Sequence, residues 1–451
     1  MDWKTQKVLV AGSGKSGIGA TDLLKKVGAE VIIYDGNDKL KEEDVLNKIE
    51  NKEDVKVILG ELEDSVINEI DMMVLSPGIA IDAPFVLRVK EAGVPIWGEI
   101  ELAYVIGKGK LAAITGTNGK TTTTALVGEI MANYYDKVDV VGNIGNPYTT
   151  TAFDSTDDTV TVAEISSFQL ETIHTFKPDV SAVLNITPDH LNRHYTMECY
   201  TDVKMSIAKN QDSNQPIVLN YEDPILREYA GKLTNRIIWF SSKQKVNPGV
   251  YLEGKNIIYA DGKKETFVTT TEDTTLVGIH NVENIMAAIA ISINMDVPVD
   301  IIRETIRKFK AVPHRIEYVE TINDVIYYND SKGTNTDASI KAIEAMSRPT
   351  ILIAGGYDKK VSFDDWAEAF GDKVKCLVLL GQTAEQIADT VKKHGFTNII
   401  FTESLKEAVD ECAKNAKPGD AVLLSPACAS WGMFDNYEQR GDMFKEYVRN
   451  L

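Results

Sequence analysis

The stretch Leu111-Ala112-Ala113-Ile114-Thr115-Gly116-Thr117-Asn118-Gly119-Lys120-Thr121-Thr122 constrains this chain more than any other. A short apolar run breaks into a glycine turn, and Ala125, Leu126, Val127, Ile130 and Met131 then recur at helical spacing. Strand, glycine loop, Lys-Thr and helix in that succession are the context in which a phosphate loop is a physical statement. Gly116 and Gly119 have no Cβ, so backbone N–H groups can gather around a polyphosphate, and the positive end of the new helix faces the same place. Lys120 can reach terminal phosphates, with Thr117, Asn118 and Thr122 completing the loop, and the Thr121 hydroxyl can ligate Mg²⁺. The competing reading is a plain Gly-rich turn with a solvated lysine, which the periodicity on both sides disfavours.

Further polar clusters follow other apolar runs. Residues 7–11 read as a strand, Gly12-Ser13-Gly14-Lys15-Ser16-Gly17 as a glycine turn opening a helix, and residues 31–34 as a second strand ending at Asp35. This is the Rossmann spacing, which any nucleotide diphosphate satisfies as well as a dinucleotide does. Residues 72–75 form a strand that ends in Ser76-Pro77-Gly78. Strands at 138–141, 159–163 and 180–185 lead to Gly142-Asn143-Ile144-Gly145, Glu164 and Thr187-Pro188-Asp189-His190. In a parallel sheet those ends share one edge with the phosphate loop, where a carboxylate and an imidazole suit Mg²⁺. Lys204 falls on a helical stretch over 197–209, where a solvated lysine is the bland alternative. Asn281 and Asn284 are three apart near the start of an apolar helix over 285–293, placed to cap it or to read an adenine edge.

Pro313 marks a boundary, and a further α/β unit follows. Its strands at 325–328, 351–354, 376–380 and 421–424 lead to Asp330-Ser331-Lys332-Gly333-Thr334, Gly355-Gly356-Tyr357-Asp358-Lys359 and Ser425-Pro426-Ala427-Cys428-Ala429-Ser430, with Tyr437 beyond. The resulting expectation is an α/β chain of three domains: a Rossmann-like domain over 1–98, a central phosphate-loop mononucleotide-binding ATPase domain over 99–311, and a Rossmann-like domain over 312–451. At 451 residues the chain is long enough for that division.

A formal charge of −19 argues against binding to nucleic acid or an anionic membrane, so anionic substrates must be held by local cations and helix ends. The four cysteines are scattered and none forms a CxxC pair, which points to reduced thiols in the cytoplasm. The first residues carry no apolar signal core, and no apolar run is long enough to span a bilayer.

Seven or more of these runs occur in the order found in one enzyme family. Gly116-Thr-Asn-Gly-Lys-Thr-Thr122, with two residues between its glycines where the common loop has four, resembles the loop of the Mur ligases and folylpolyglutamate synthetases. Over its whole length the chain resembles the Mur ligases, through Gly142 to Gly145, Glu164-Ile-Ser-Ser-Phe-Gln-Leu-Glu171, 185–190, 280–284, Pro313-His-Arg315, Asn329-Asp-Ser-Lys332 and Ser425 to Ser430. The Ser-Ser-Phe-Gln-Leu-Glu and Ser-Pro-Ala-Cys-Ala-Ser runs point to the D-glutamate-adding member.

The resemblance implies an ATP-dependent ligase. The carboxylate of UDP-N-acetylmuramoyl-L-alanine would be phosphorylated by ATP, and the D-glutamate amine would attack the acyl phosphate, leaving ADP and phosphate. It implies Lys120 and Thr121 on ATP and Mg²⁺, Glu164 on a first Mg²⁺, His190 on a second or as a base for the amine, and Lys204 as a carbamylated lysine at the metal. It further implies Asn281 and Asn284 at the adenine, and Arg315 and Asp330 at the phosphates and ribose. Ser13, Gly14, Lys15, Ser16, Asp35 and Ser76 fall on the UDP side and Asn143 on the muramoyl side. Lys332, Thr334, Lys359, Ser430 and Tyr437 fall at D-glutamate. A monomer working on small molecules in the cytoplasm, in peptidoglycan precursor synthesis, is the implied setting. The alternatives are a Mur or folylpolyglutamate-type ligase using another amino acid, an NAD-dependent oxidoreductase resting on residues 12–35 alone, and a non-catalytic nucleotide sensor.

Overall fold

A computed structural model describes residues 2–143, 145–310, 312–358 and 361–451. It divides into two compact units, Met1–Asp273 with Glu283–Arg307, and Thr274–Val282 with Lys308–Leu451. The first unit opens with β1 (Lys7–Ala11), β2 (Glu30–Asp35), β3 (Lys56–Leu59), β4 (Met72–Leu75) and β5 (Ile96–Gly98). They form an all-parallel sheet in the order β3-β2-β1-β4-β5. The order reverses between β1 and β4, so the loops after those two strands part and leave a crevice at their carboxyl ends. Gly17 lies in the first turn of the helix Lys15–Val27, where a Cβ would stand 1.8 Å from the Gly12 carbonyl oxygen. The last glycine of the fingerprint is thus there for helix-to-loop packing.

The second sheet of this unit holds β6 (Lys110–Thr115), β7 (Val138–Gly142), β8 (Val160–Glu164), β9 (Val180–Val183), β10 (Pro216–Asn220), β11 (Arg236–Ser241), β12 (Gly249–Glu253), β13 (Asn256–Ala260) and β14 (Glu265–Thr270). Their order is β14-β13-β12-β11-β10-β9-β6-β8-β7, parallel from β12 to β7 with an antiparallel meander at the β14 edge. Strands β8, β9 and β10 are buried at every residue, as expected where both faces of a parallel sheet are covered. The two sheets share a core. Ala20, Leu23 and Leu24 of Lys15–Val27 cluster with Ile100, Leu102 and Ala103 of the helix Glu99–Ile106 and with Tyr148. Each of the leucines and the isoleucine contributes roughly 1.5–3 kcal/mol on burial, the alanines less.

The second unit is built on β15 (Glu317–Ile322), β16 (Val325–Asn329), β17 (Thr350–Ala354), β18 (Val374–Leu379), β19 (Ile399–Phe401) and β20 (Ala421–Leu424), in the order β15-β16-β20-β17-β18-β19. Only the β15–β16 pair is antiparallel. The last strand in sequence inserts between β16 and β17, so the loops after these three strands lie along one edge.

The strands that the sequence pattern singles out are present, β3, β5, β10 to β15 and β19 come in addition to them, and the departures at expected elements have local causes. The strand expected over 180–185 stops at Val183. Asn185 has left the ladder to pair with the phosphate loop: its Oδ1 accepts from the Asn118 amide at 2.8 Å and its Nδ2 donates to the Asn118 carbonyl at 3.0 Å. The helix expected over 197–209 is α-helical only over Met197–Met205 and tightens to a 3₁₀ turn over Ser206–Ala208. The apolar helix over 285–293 begins earlier, at Ile279, so Asn281 and Asn284 lie within its first turns.

Candidate active site

The phosphate loop leaves β6 through Gly116 at φ 147° and enters the helix Lys120–Ala132 through Gly119 at φ 84°. A Cβ on Gly119 would fall 2.3 Å from Asn284 Oδ1, so the glycine keeps that asparagine against the loop. Two lysine Nζ atoms converge beneath it. Lys120 Nζ donates to the carbonyls of Gly116 and Thr117, each at 2.8 Å, and Lys204 Nζ donates to the same Gly116 carbonyl at 2.9 Å. Lys204 is therefore no solvated lysine: it is 2% exposed, 4.8 Å from the Tyr200 ring centroid, one helical turn back. Burial, then the charge of Lys120, push its pKa well below the ordinary lysine value, against the pull of Asp189 and Glu164. That shift favours the neutral, nucleophilic form of the amine over the ammonium.

Glu164 ends β8 on the same edge and is buried. Asn143 Nδ2 donates to Oε1 at 3.0 Å, while Oε2 is buried with no hydrogen-bond partner among the described residues. An orphaned carboxylate oxygen beside a phosphate loop fits a divalent cation, since Mg²⁺ takes one or two carboxylates together with phosphate oxygens and water. Thr121, at the head of the helix, is partly buried beside Thr122. His190 has φ 53°, is half-exposed, and holds Nε2 3.4 Å from Asp189 Oδ2, with its ring 4.8 Å from that of Phe168. The strand ends bring the phosphate loop and Glu164 to one edge, and the helices Met197–Met205 and Ile279–Asn294 add Lys204 and Asn284 to it.

The crevice of the first sheet is a cavity of about 660 Å³ lined by Ser13, Gly14, Lys15, Ser16, Asp35 and Ser76, with Pro77 and Ile79 in its wall. Asp35 Oδ2 accepts from the Ser13 amide at 3.0 Å and the Ser13 hydroxyl at 2.6 Å, and Oδ1 accepts from the Asn37 amide at 3.1 Å. Burial would raise its pKa, but these hydrogen bonds more than compensate and hold it below the ordinary value. Ser76 Oγ is buried with no partner among the described residues, a polar atom available to a ligand. Lys15 reaches across to the Gly145 carbonyl at 2.5 Å, which ties this crevice to Gly145, beyond β7 of the second sheet.

In the second unit Asp330 is completely buried. Ser425 Oγ donates to its Oδ2 at 2.7 Å, the Ile316 amide donates to Oδ1 at 3.3 Å, and Arg315 Nη1 stands 3.8 Å away. Burial pushes its pKa up to about 6 against the opposing pull of Arg315. Lys332 Nζ lies 5.6 Å from the centroid of the Tyr437 ring. Ser430 is buried, and the Thr334 amide donates to the Lys332 carbonyl at 2.8 Å. Asn281 Nδ2 donates to the Val277 carbonyl at 2.7 Å, bonding within its own helix start. Lys359 and Ile144 lie outside the described residues.

Several residues given no role in the sequence reading hold these parts together. Arg440, 2% exposed, donates from Nε to Ser331 Oγ at 2.9 Å, from Nη2 to the Ser331 carbonyl at 2.8 Å, and to the Cys428 carbonyl at 3.3 Å, pinning the loops after β16 and β20 to each other. Tyr200, four residues before Lys204, places its hydroxyl 3.2 Å from Thr117 Oγ1, and that helical spacing was the available signal. Arg193 and Glu171 form a buried pair three residues after His190 and seven after Glu164, for which the sequence offered no periodicity.

Comparison with known proteins agrees along the whole chain. Residues 6–98 match the MurD-like N-terminal domain of Mur ligases, 114–292 the Mur ligase middle domain, and 314–428 the Mur ligase glutamate ligase domain. The UDP-N-acetylmuramoylalanine–D-glutamate ligase of Lachnospira eligens is 58% identical over 452 residues, covering 100% of both chains. The ligase of the same description from Clostridioides difficile is 47% identical, again over 100% of both. Among solved structures, the UDP-N-acetylmuramate–alanine ligase of Thermotoga maritima aligns with a TM-score of 0.61 at 18% identity, over 99% of each chain. The MurF ligase of Thermotoga maritima, solved in complex with ADP, aligns at 0.62 and 17% over 100% of this chain and 99% of that one.

Proposed function

The chain belongs to the Mur ligase family, and on that footing we propose how its residues carry out the reaction of the D-glutamate-adding member. It has the three-domain α/β fold of that family. It is an ATP-dependent ligase that joins D-glutamate to UDP-N-acetylmuramoyl-L-alanine in peptidoglycan synthesis, with ADP and phosphate as the other products. The observation that carries the residue assignment is the meeting of two lysines and an orphaned carboxylate oxygen at one glycine loop. In our reading the domains run over 1–98, 99–311 and 312–451, and the enzyme is a cytoplasmic monomer.

The loop 116–122 holds the ATP phosphates with its amides. Lys120, released from the Gly116 and Thr117 carbonyls, places its charge on the oxygens where negative charge grows as the L-alanyl carboxylate takes the phosphoryl group. Thr121 and Glu164 Oε2 would hold a Mg²⁺ bound with the nucleotide, which would supply neutralisation of the phosphate charge, and His190 and Lys204 would serve a second such site. Lys204 becomes such a ligand by carbamylation: the neutral amine forms an N–C bond to CO₂ and loses a proton, turning a buried would-be cation into an anion. Its suppressed pKa supports that step. Ser13 to Ser16, Asp35 and Ser76 bind the UDP part, and Asn143 orients the muramoyl part while holding Glu164. Asn281, Asn284, Arg315 and Asp330 serve the nucleoside and phosphates. Lys332, Thr334, Lys359, Ser430 and Tyr437 clamp D-glutamate so that its amine attacks the acyl phosphate. Enclosure from water preserves that intermediate.

Phosphate release measured with ATP and UDP-N-acetylmuramoyl-L-alanine against a panel of amino acids tests this reading. D-glutamate alone should support turnover. Turnover with L-alanine or a diamino acid in its place would refute the assignment.

A further inference from the structure

Residues 190–195 form a turn under strain at the edge of the site. The four-residue helix Leu191–His194 is bracketed by His190 at φ 53° and Tyr195 at φ 63°, both in a region that costs a non-glycine residue of order 1–3 kcal/mol unless its surroundings impose it. Three successive side chains impose it. Tyr195 donates to Asp82 Oδ2 at 2.5 Å. His194 Nε2 lies 3.0 Å from Ser167 Oγ, and burial followed by the charge of Arg193 pushes its pKa down to about 4, keeping the ring neutral. Arg193 does the most. Its Nη1 donates to the Pro77 carbonyl at 2.9 Å and Nη2 to the Ile79 carbonyl at 2.8 Å. Its Nε and Nη2 reach the two oxygens of Glu171 at 3.2 and 2.5 Å, and the guanidinium lies 4.2 Å from the Phe168 ring centroid.

These partners belong to three different parts of the site. Pro77 and Ile79 are in the wall of the 660 Å³ cavity. Phe168 and Glu171 follow Glu164 in the chain, and Arg193 itself is three residues from His190. The pair is almost dry, with side chains 12% and 4% exposed, so the fork has no solvent alternative to these bonds. We propose that Arg193 is a positioning residue that couples occupation of the UDP-substrate cavity to the placement of His190. A ligand that presses on the Ser76–Ile79 turn moves the two carbonyls on which the guanidinium rests, and the His190 turn moves with it. Lysine cannot replace it, because one ammonium cannot meet two carbonyls and a bidentate carboxylate in a plane. The proposal rests on assigning that cavity to the UDP substrate.

Full-length Arg193→Lys and Arg193→Ala, assayed by phosphate release, test it, with Asp35→Asn as the cavity control. We expect Arg193→Lys to raise the KM for UDP-N-acetylmuramoyl-L-alanine about tenfold or more and to lower kcat about tenfold or more, with the KM for ATP within about twofold of the parent. Added guanidinium ion should restore turnover to Arg193→Ala, and added ammonium should not. If the alanine variant does not fold, the lysine variant decides the matter alone. Unchanged constants in Arg193→Lys, an equal rise in the KM for ATP, or a folded Arg193→Ala that guanidinium does not rescue would overturn the coupling. If Asp35→Asn leaves the KM for the UDP substrate unchanged, the cavity assignment fails and the coupling with it. If Asp35→Asn raises that KM and Arg193→Lys does not, only the coupling fails.

Discussion

Glu99 is the first residue of the helix Glu99–Ile106, which follows β5 directly and joins the two sheets of the first unit. Its Oε1 accepts from Gln169 Nε2 at 2.6 Å, while Oε2 is buried without a partner among the described residues. Burial pushes its pKa from the ordinary 4.5 up to about 7, partly opposed by the Gln169 hydrogen bond. The folded carboxyl keeps its proton up to about 7 while the unfolded chain loses it near 4.5, so the stability it contributes is fully present below 4.5 and is lost as pH rises to 7. That interval corresponds to roughly 3.4 kcal/mol in all, of which about 2.5 kcal/mol falls between about pH 5 and about pH 8. Glu99→Gln has the same shape, keeps an acceptor for Gln169 and does not titrate. Urea midpoints of both proteins at those two pH values, followed by tryptophan fluorescence, give the difference of differences. The variant should gain on the parent by about 2.5 kcal/mol on going from about pH 5 to about pH 8. A difference flat in pH, or one that favours the parent at high pH, would refute the claim that a buried, proton-holding carboxyl sits at this junction.

Lys120→Ala should keep its fold and lose on the order of 10²-fold or more in phosphate release, because the charge over the transferring phosphoryl group is gone; near-normal turnover would remove the phosphate loop from the mechanism. Lys204→Ala should be inactive and partly restored by acetate, and intact protein labelled with ¹³CO₂ should show one carbamate carbon that the variant lacks; a lysine without label in active enzyme would end the carbamylation reading. Lys359→Ala should raise the KM for D-glutamate far more than those for ATP and the UDP substrate, by roughly 2–5 kcal/mol in apparent binding. L-glutamate should fail as a substrate of the parent, and an equal rise in all three KM values would assign Lys359 to another task.

Sequence alone was enough for the strands that lead to the site, the glycine loops and the polar clusters at those strand ends, because these depend on local pattern; β3, β5, β10 to β15 and β19 were not read from it. A short apolar run that breaks into a glycine turn fits a strand buried on both faces, and Gly119 at φ 84° or Gly17 against a carbonyl oxygen leaves a mark that one residue type satisfies. With the parallel order of β9, β6 and β8, that pattern also put the phosphate loop and Glu164 on one edge. What only the tertiary structure decided is which polar side chains end up dry and what they meet there. Lys204 and Glu99 look like ordinary surface residues in their helices, yet both are at most 2% exposed. Arg193 and Arg440 direct part of their hydrogen bonding to backbone carbonyls of other loops, Pro77 and Ile79 for one, Ser331 and Cys428 for the other. A carbonyl oxygen belongs to every residue and leaves no trace in the identity of the residue that carries it, so such contacts arise only when the sheets have already brought the loops together.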